Sequence, residues 1–84
     1  MRIILKLYAS LADTLPPAAQ KTRRLELDIP ADTTIADVIR ERNLPPKMCH
    51  LVLLNGFFIP PAARATRTFG QDDELAIWPP IAGG

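Results

Sequence analysis

The residues best suited to chemistry in this chain are Gly83 and Gly84, with which the sequence ends. We expect the Gly84 carboxylate to be free, which makes it a unique reactive group that needs no side chain. Because glycine has no Cβ, it adopts backbone conformations closed to other residues and fits a narrow channel. The alternative is a frayed chain end without function.

The two prolines before the last four residues indicate where the folded domain ends. Pro79 and Pro80 have a fixed φ and no backbone N–H, so they cannot continue a hydrogen-bonded strand. We therefore predict a folded domain over residues 1–78 and an extended tail over residues 79–84. Such a tail reaches on the order of 20 Å from the body, which is far enough to enter a partner's active site.

The side chains elsewhere offer little catalytic chemistry. His50 is the only histidine and Cys49 the only cysteine, which excludes a two-histidine metal site and an internal disulfide. Adjacent side chains point to opposite faces of a strand, so we expect a buried thiol beside a surface imidazole rather than a nucleophile pair. The acidic run at 72–74 is expected to be a solvated turn rather than a cation site. We therefore expect no bound metal or cofactor.

The composition indicates one small soluble domain. At 84 residues the chain leaves little room for a deep catalytic cleft. The net charge of +1 argues against nucleic-acid binding, which needs many clustered cations. The basic cluster Lys21, Arg23 and Arg24 is expected to be a solvated face, with an anionic docking patch as the alternative. No segment has the length of a signal peptide core or a membrane span, so we expect a cytoplasmic protein without a membrane partner.

Alternating apolar residues predict two strands in the first third of the chain. Residues 2–8 favour a strand well inside a sheet, and residues 23–29 favour a half-exposed strand antiparallel to it. Between them, Ser10 is expected to cap a short helical turn, and residues 18–22 are expected to form a loop.

One substantial helix is predicted next. Thr34 is a natural N-cap, and Asp37 stands three residues later, as in a capping box. Asn43 is the expected C-cap. The predicted buried stripe consists of Ile35, Val38 and Ile39.

Three further strands are predicted in the second half. The apolar run 51–54 is expected to be covered on both faces or to lie at the sheet centre. It is followed by Asn55-Gly56, the strongest short hairpin signal. Residues 57–59 form the return strand, and residues 74–78 form the last strand.

This order of elements predicts the fold and one candidate docking surface. Strands and helix in the order β-β-α-β-β-β predict an α+β fold of the β-grasp, or ubiquitin-like, type, with a mixed sheet of four to five strands and one main helix packed on one face. Phe57, Phe58 and Ile59 are the candidate docking patch, since neighbouring strand residues alternate faces and at least one ring should point outward. The alternative is that the domain itself covers both rings.

The residues together resemble a known family, the small ubiquitin-like sulfur carriers. The resemblance covers nearly the whole chain, and its most specific part is the ending from Gln71 to Gly84. This ending has an acidic turn, an apolar strand, Pro79-Pro80, the spacer Ile81-Ala82 and the terminal diglycine, as in the small subunit of molybdopterin synthase. The Asn55-Gly56 turn is common in the thiamine sulfur carriers, so the chain combines features of both.

The resemblance implies a carrier or co-substrate rather than an enzyme. A ubiquitin-activating-like enzyme would use ATP to adenylate Gly84, and a sulfur donor would then leave a thiocarboxylate. The acceptor would be a synthase, either a molybdopterin synthase large subunit or of the thiazole synthase type. The open alternatives are a protein modifier conjugated through Gly84 and a β-grasp interaction module with an inert tail.

Overall fold

A computed structural model describes residues 1–80 and confirms the predicted fold. The strands are β1 (Arg2–Leu7), β2 (Arg24–Asp28), β3 (Leu51–Leu54), β4 (Phe57–Phe58) and β5 (Glu74–Trp78). The α-helices are α1 (Pro17–Gln20) and α2 (Ile35–Glu41), and 3₁₀ helices span Ala9–Thr14, Pro46–Met48 and Pro61–Ala63. The five strands form one sheet in the order β2-β1-β5-β3-β4.

The sheet is mixed because its two central strands run in the same direction. β1 and β5 pair in parallel, whereas β1–β2, β3–β5 and β3–β4 are antiparallel. The inward residues of the central strands are completely buried: Ile3, Leu5, Leu7, Leu75 and Ile77. The buried stripe of α2 covers this face. No helix among residues 1–80 covers the opposite face of the sheet, which we call the open face.

Helix α2 begins and ends through local hydrogen bonds. The Thr34 hydroxyl accepts from the Asp37 N–H at 3.1 Å, and the Asp37 carboxylate accepts from the Thr34 N–H at 3.0 Å, so the predicted capping box is confirmed. At the other end the C-cap is Arg42 rather than Asn43. Asn43 follows it with φ 57°, and the Leu44 N–H donates to the Ile39 carbonyl at 3.0 Å. This is a Schellman ending, in which the left-handed residue lies one position beyond the C-cap.

The connection from β1 to β2 is more helical than predicted. The 3₁₀ helix Ala9–Thr14 has Tyr8 as its N-cap and no side-chain cap, so the Ser10 prediction is wrong. The expected loop at 18–22 contains most of α1, which starts with Pro17. Proline is favoured at the first helical position because that residue's N–H has no partner in a helix.

The β3–β4 hairpin turns at Asn55-Gly56, as predicted, with φ of 51° and 86°. β3 is not covered on both faces, however. Val52 and Leu54 are buried, but Leu51 is 36% exposed, because only one face of the sheet carries a helix. Within the described part of the chain, no helix is long and apolar enough to cross a bilayer.

Candidate functional site

The predicted tail leaves the body at the end of β5, between two neighbouring segments. The Trp78 carbonyl accepts from the His50 N–H at 3.0 Å, and the Ile77 carbonyl accepts from the Tyr8 N–H at 3.1 Å. Pro79 is buried and Pro80 is exposed, so Pro79 belongs to the body rather than to the predicted extended tail.

The remaining predicted tail residues, Ile81, Ala82, Gly83 and Gly84, lie outside the described residues. The structure therefore describes the root of the tail, from Trp78 to Pro80. No more than four residues separate this root from the reactive carboxylate that we predict at Gly84.

Two aromatic rings fix the direction of the chain at this root. The rings of Tyr8 and Trp78 lie 4.1 Å apart between centroids and are parallel to within 3°. The sequence contains no signal that these two rings contact each other. Because the stack and the bond to His50 both act on Trp78, the residue before the prolines has little freedom to turn.

The open face beside the tail root is apolar. Cross-strand neighbours share a face, and Leu51 lies opposite Trp78, Leu53 opposite Ala76, and Leu53 opposite Phe58. These side chains, with Tyr8, form a continuous stripe from the edge strand β4 to the end of β1. Phe58 is 55% exposed, so the stripe presents a large ring to solvent.

The three residues of the predicted docking patch occupy different positions. Phe58 lies on the open face, whereas Phe57 lies opposite Leu54 near the hairpin turn and is 76% exposed. Ile59 is 5% exposed and packs in the core. Ile59 is therefore a wrong choice for a docking residue, because the strand alternation that turns Phe58 outward turns Ile59 inward.

Charged pairs lie next to the open stripe, on the side of β1 and β5. Lys6 and Glu74 form an ion pair across the two central strands, and Arg24 lies 3.9 Å from the same carboxylate. The hydrogen bond and the charge of Lys6 hold the pKa of Glu74 below its usual value. Lys6, Arg24 and Glu74 therefore form a charged border along one side of the apolar stripe.

The acidic run at 72–74 has structural partners. Asp72 pairs with Arg2 at 2.9 Å. The Asp73 carboxylate accepts from the Gly70 N–H at 2.7 Å and from the Asn55 amide at 2.9 Å. Among the residues described, no three potential ligands cluster around a common point.

Cys49 and His50 are arranged as predicted, with Cys49 3% exposed and His50 at the surface. The Cys49 thiol donates to the Pro45 carbonyl at 3.5 Å, and burial raises the pKa of the thiol. Both effects disfavour the thiolate, so this cysteine is a poor nucleophile. The described side chains therefore form an exposed apolar face beside an anchored tail root.

Comparison with known proteins places the chain in one family. The ThiS family model matches residues 7–84. No curated protein sequence gives a significant match. SAMP1, the small archaeal modifier protein 1 of Haloferax volcanii, has a similar structure with a TM-score of 0.69 and 23% identity, with both chains covered completely.

Two other solved structures share the fold. The HVO 2177 protein of Haloferax volcanii has a TM-score of 0.70 and 22% identity, covering 100% of this chain and 87% of that one. A protein assigned as molybdopterin converting factor subunit 1, from Pyrococcus furiosus, has a TM-score of 0.68 and 14% identity, covering 95% and 98%. At these identities the structures support the β-grasp fold.

Proposed function

The chain belongs to the ThiS family of ubiquitin-like sulfur carriers, and from this premise we propose that it carries sulfur as a thiocarboxylate on Gly84. The protein is then a co-substrate that is charged, consumed and recharged. Its own contribution is to present the terminal carboxylate and to dock on the enzymes that act there.

The proposed chemistry has two steps at one carboxyl group. The Gly84 carboxylate attacks the α-phosphorus of ATP on an adenylating partner and releases pyrophosphate, which leaves an acyl-adenylate. A hydrosulfide equivalent from a sulfur donor then attacks the acyl carbon and expels AMP, which leaves the thiocarboxylate. No side chain of the carrier takes part, and ATP is bound by the partner.

The observation that carries the proposal is the anchored root beside the open apolar face. Trp78 is held by Tyr8 and by the His50 N–H, so the tail starts from a fixed position. Four further residues span at most about 14 Å. A partner that covers the stripe of Leu51, Leu53 and Phe58 therefore has the Gly84 carboxylate within reach, and a fixed root lowers the entropy lost when the tail is inserted.

Among acceptors, a molybdopterin synthase large subunit is the first candidate. The support is the Pro79-Pro80 ending together with the shared fold of the protein assigned as molybdopterin converting factor subunit 1. A thiazole synthase is the second candidate, supported by the family model. On the first assignment the chain is the small subunit of the synthase.

The test is intact-protein mass spectrometry after incubation with ATP, an adenylating enzyme and a sulfur source. We expect a mass increase equal to the exchange of one oxygen for sulfur. A variant lacking Gly84 should show no exchange and an unchanged circular dichroism spectrum, because a glycine has no side chain to pack in a core. Normal charging of the shortened chain would refute the role of Gly84.

A second candidate function, protein modification, is supported by the shared fold of the small archaeal modifier protein 1. It uses the same adenylate, but a lysine amine replaces the sulfur nucleophile and forms an isopeptide bond. Gly84-linked conjugates recovered from cells, without sulfur exchange in the charging assay, would favour this alternative.

A further inference from the structure

A second surface with a different chemistry lies on the helix side of the sheet. It is a groove of about 840 Å³ between the C-terminal half of α2, the connection from α2 to β3, and the segment that follows β4. Ile39, Leu44, Pro45 and Pro61 contribute much of its apolar lining. The groove shares no lining residue with the open stripe, so it is a separate surface.

The charge of this groove is one-sided. Arg40, Lys47 and Arg64 line it, and none of the nine acidic residues does. Arg40 is partly neutralised by Asp37 at 2.6 Å. Lys47, by contrast, belongs to none of the ion pairs formed among residues 1–80. In a chain whose net charge is only +1, this is a local concentration of positive charge.

The most unusual of these cations is Arg64, because it is only 8% exposed. Its guanidinium donates to the carbonyls of Cys49, Ile59 and His50, at 2.7, 3.3 and 3.4 Å. A guanidinium carries five N–H donors, so two of them are uncommitted within the described structure. Its acceptors are uncharged carbonyl groups, so no carboxylate among residues 1–80 compensates the buried charge.

We propose that this groove binds an acidic segment of a partner protein, with apolar side chains on the groove floor and carboxylates against Lys47 and Arg64. Charge complementarity selects this occupant, since an apolar floor with unmatched cations attracts a chain that carries both features. Carboxylates also match the planar donor geometry of arginine. The inference holds whether or not Gly84 carries sulfur.

The groove lies close to the root of the tail. His50 lines the groove and also donates its N–H to Trp78 at the tail root. An acidic segment bound there lies close to the start of the tail but leaves the open face uncovered. One partner can therefore hold the groove while the open stripe contacts the same partner or another.

The test uses the full chain and an array of short peptides that have leucine or isoleucine at the centre and glutamate or aspartate on both sides. Each has a twin in which the acids are replaced by glutamine or asparagine. We expect at least one acidic peptide to shift the amide NMR signals of Arg40, Lys47 and His50. We expect its twin to bind at least about fivefold more weakly at low salt. If no acidic peptide binds more tightly than its twin, the proposal is wrong.

Matched charge reversals assign the binding to the groove. Lys47→Glu should lower the affinity for the acidic peptide by about fivefold or more. Lys21→Glu, an equal charge change outside the groove, should leave this affinity unchanged. Lys47 is exposed, so its replacement should not unfold the domain. Three results would each overturn the proposal. The two variants could lose binding equally, or the peptide could shift only signals of the open face. The shifts could also depend on carrier concentration alone, which would reveal a second copy of the chain in the groove.

Discussion

Arg64 shows how one side chain can organise three segments of a small protein. Its guanidinium binds backbone carbonyls just before β3 and just after β4. Its backbone carbonyl accepts from the Ala36 N–H in the first turn of α2 at 2.9 Å. Nothing in the sequence distinguishes Arg64 from the other nine basic residues, because its partners are carbonyl groups that any residue could supply.

Removing this side chain should cost substantial stability. We expect Arg64→Ala to lower the free energy of unfolding by about 2–4 kcal/mol, since charged hydrogen bonds are lost and buried carbonyls are left without donors. Urea denaturation measures the change. Arg67→Ala, at an exposed position three residues later, is the control and should change stability by less than about 0.5 kcal/mol. Equal effects would show that Arg64 is not a structural link.

At the scale of elements, features that depend on neighbouring residues were predictable from the sequence, whereas features that depend on distant contacts were not. The capping box of α2 and the Asn55-Gly56 turn depend on residues a few positions apart, and both are confirmed. Ser10 has the right residue type for a cap, but the preceding backbone places Tyr8 there instead. The burial of Pro79 depends on how the end of β5 packs, which the sequence pattern does not contain.

The hairpin turn provides a prediction with a matched control. Gly56 has a left-handed backbone conformation with φ 86°, whereas the φ of Gly70 lies outside the left-handed region. A Cβ added at Gly70 would lie at an ordinary contact distance of 3.6 Å from the Asp73 carboxylate. We expect Gly56→Ala to destabilise the protein by about 1–2 kcal/mol through left-handed strain. Gly70→Ala should lie within about 0.5 kcal/mol of the parent. Thermal unfolding of both variants tests this, and a larger loss at Gly70 would contradict it.

The start of α2 should make stability depend on pH. The Thr34 N–H, followed by Arg40, holds the pKa of Asp37 below its usual value. A carboxyl whose pKa is lower in the folded state stabilises the fold above its unfolded pKa of about 4, and this contribution is lost as the pH falls through the folded value.

We therefore expect Asp37→Asn to be less stable than the parent at pH 7 and to approach it as the pH drops below about 4. Denaturation series at several pH values measure the difference. Asp32→Asn is the control, because Asp32 is exposed and has no side-chain hydrogen bond or ion pair within residues 1–80. A difference for Asp37→Asn that stays constant with pH would rule out the ionised cap.

For the whole molecule, the proposed function separates the predicted reactive group from the surfaces that we propose for docking. The prediction of the Gly84 carboxylate as the reactive group depends on residue types alone. The open stripe needed the sheet register, because only the pairing of Leu53 with Phe58 and Ala76 brings distant residues together. Under the proposed function, the surfaces of the folded body determine which enzymes receive the tail.

The two exposed phenylalanines test this division, on the premise of the proposed charging reaction. Phe58 lies on the open stripe, whereas Phe57 is more exposed but faces the other side near the turn. We expect Phe58→Ser to lower the rate of thiocarboxylate formation by about tenfold or more when the carrier concentration is limiting, as for a residue at the centre of an interface. Phe57→Ser should change it by less than about threefold.

Intact-protein mass spectrometry of early time points gives both rates, and circular dichroism checks that both variants are folded. A larger effect of Phe57 would place the docking surface at the hairpin edge. If both variants form the thiocarboxylate at the normal rate while the chain without Gly84 does not, the adenylating enzyme recognises the tail alone. The open face would then have another role, because an exposed ring beside Leu53 and Trp78 would otherwise be an unneeded risk of aggregation.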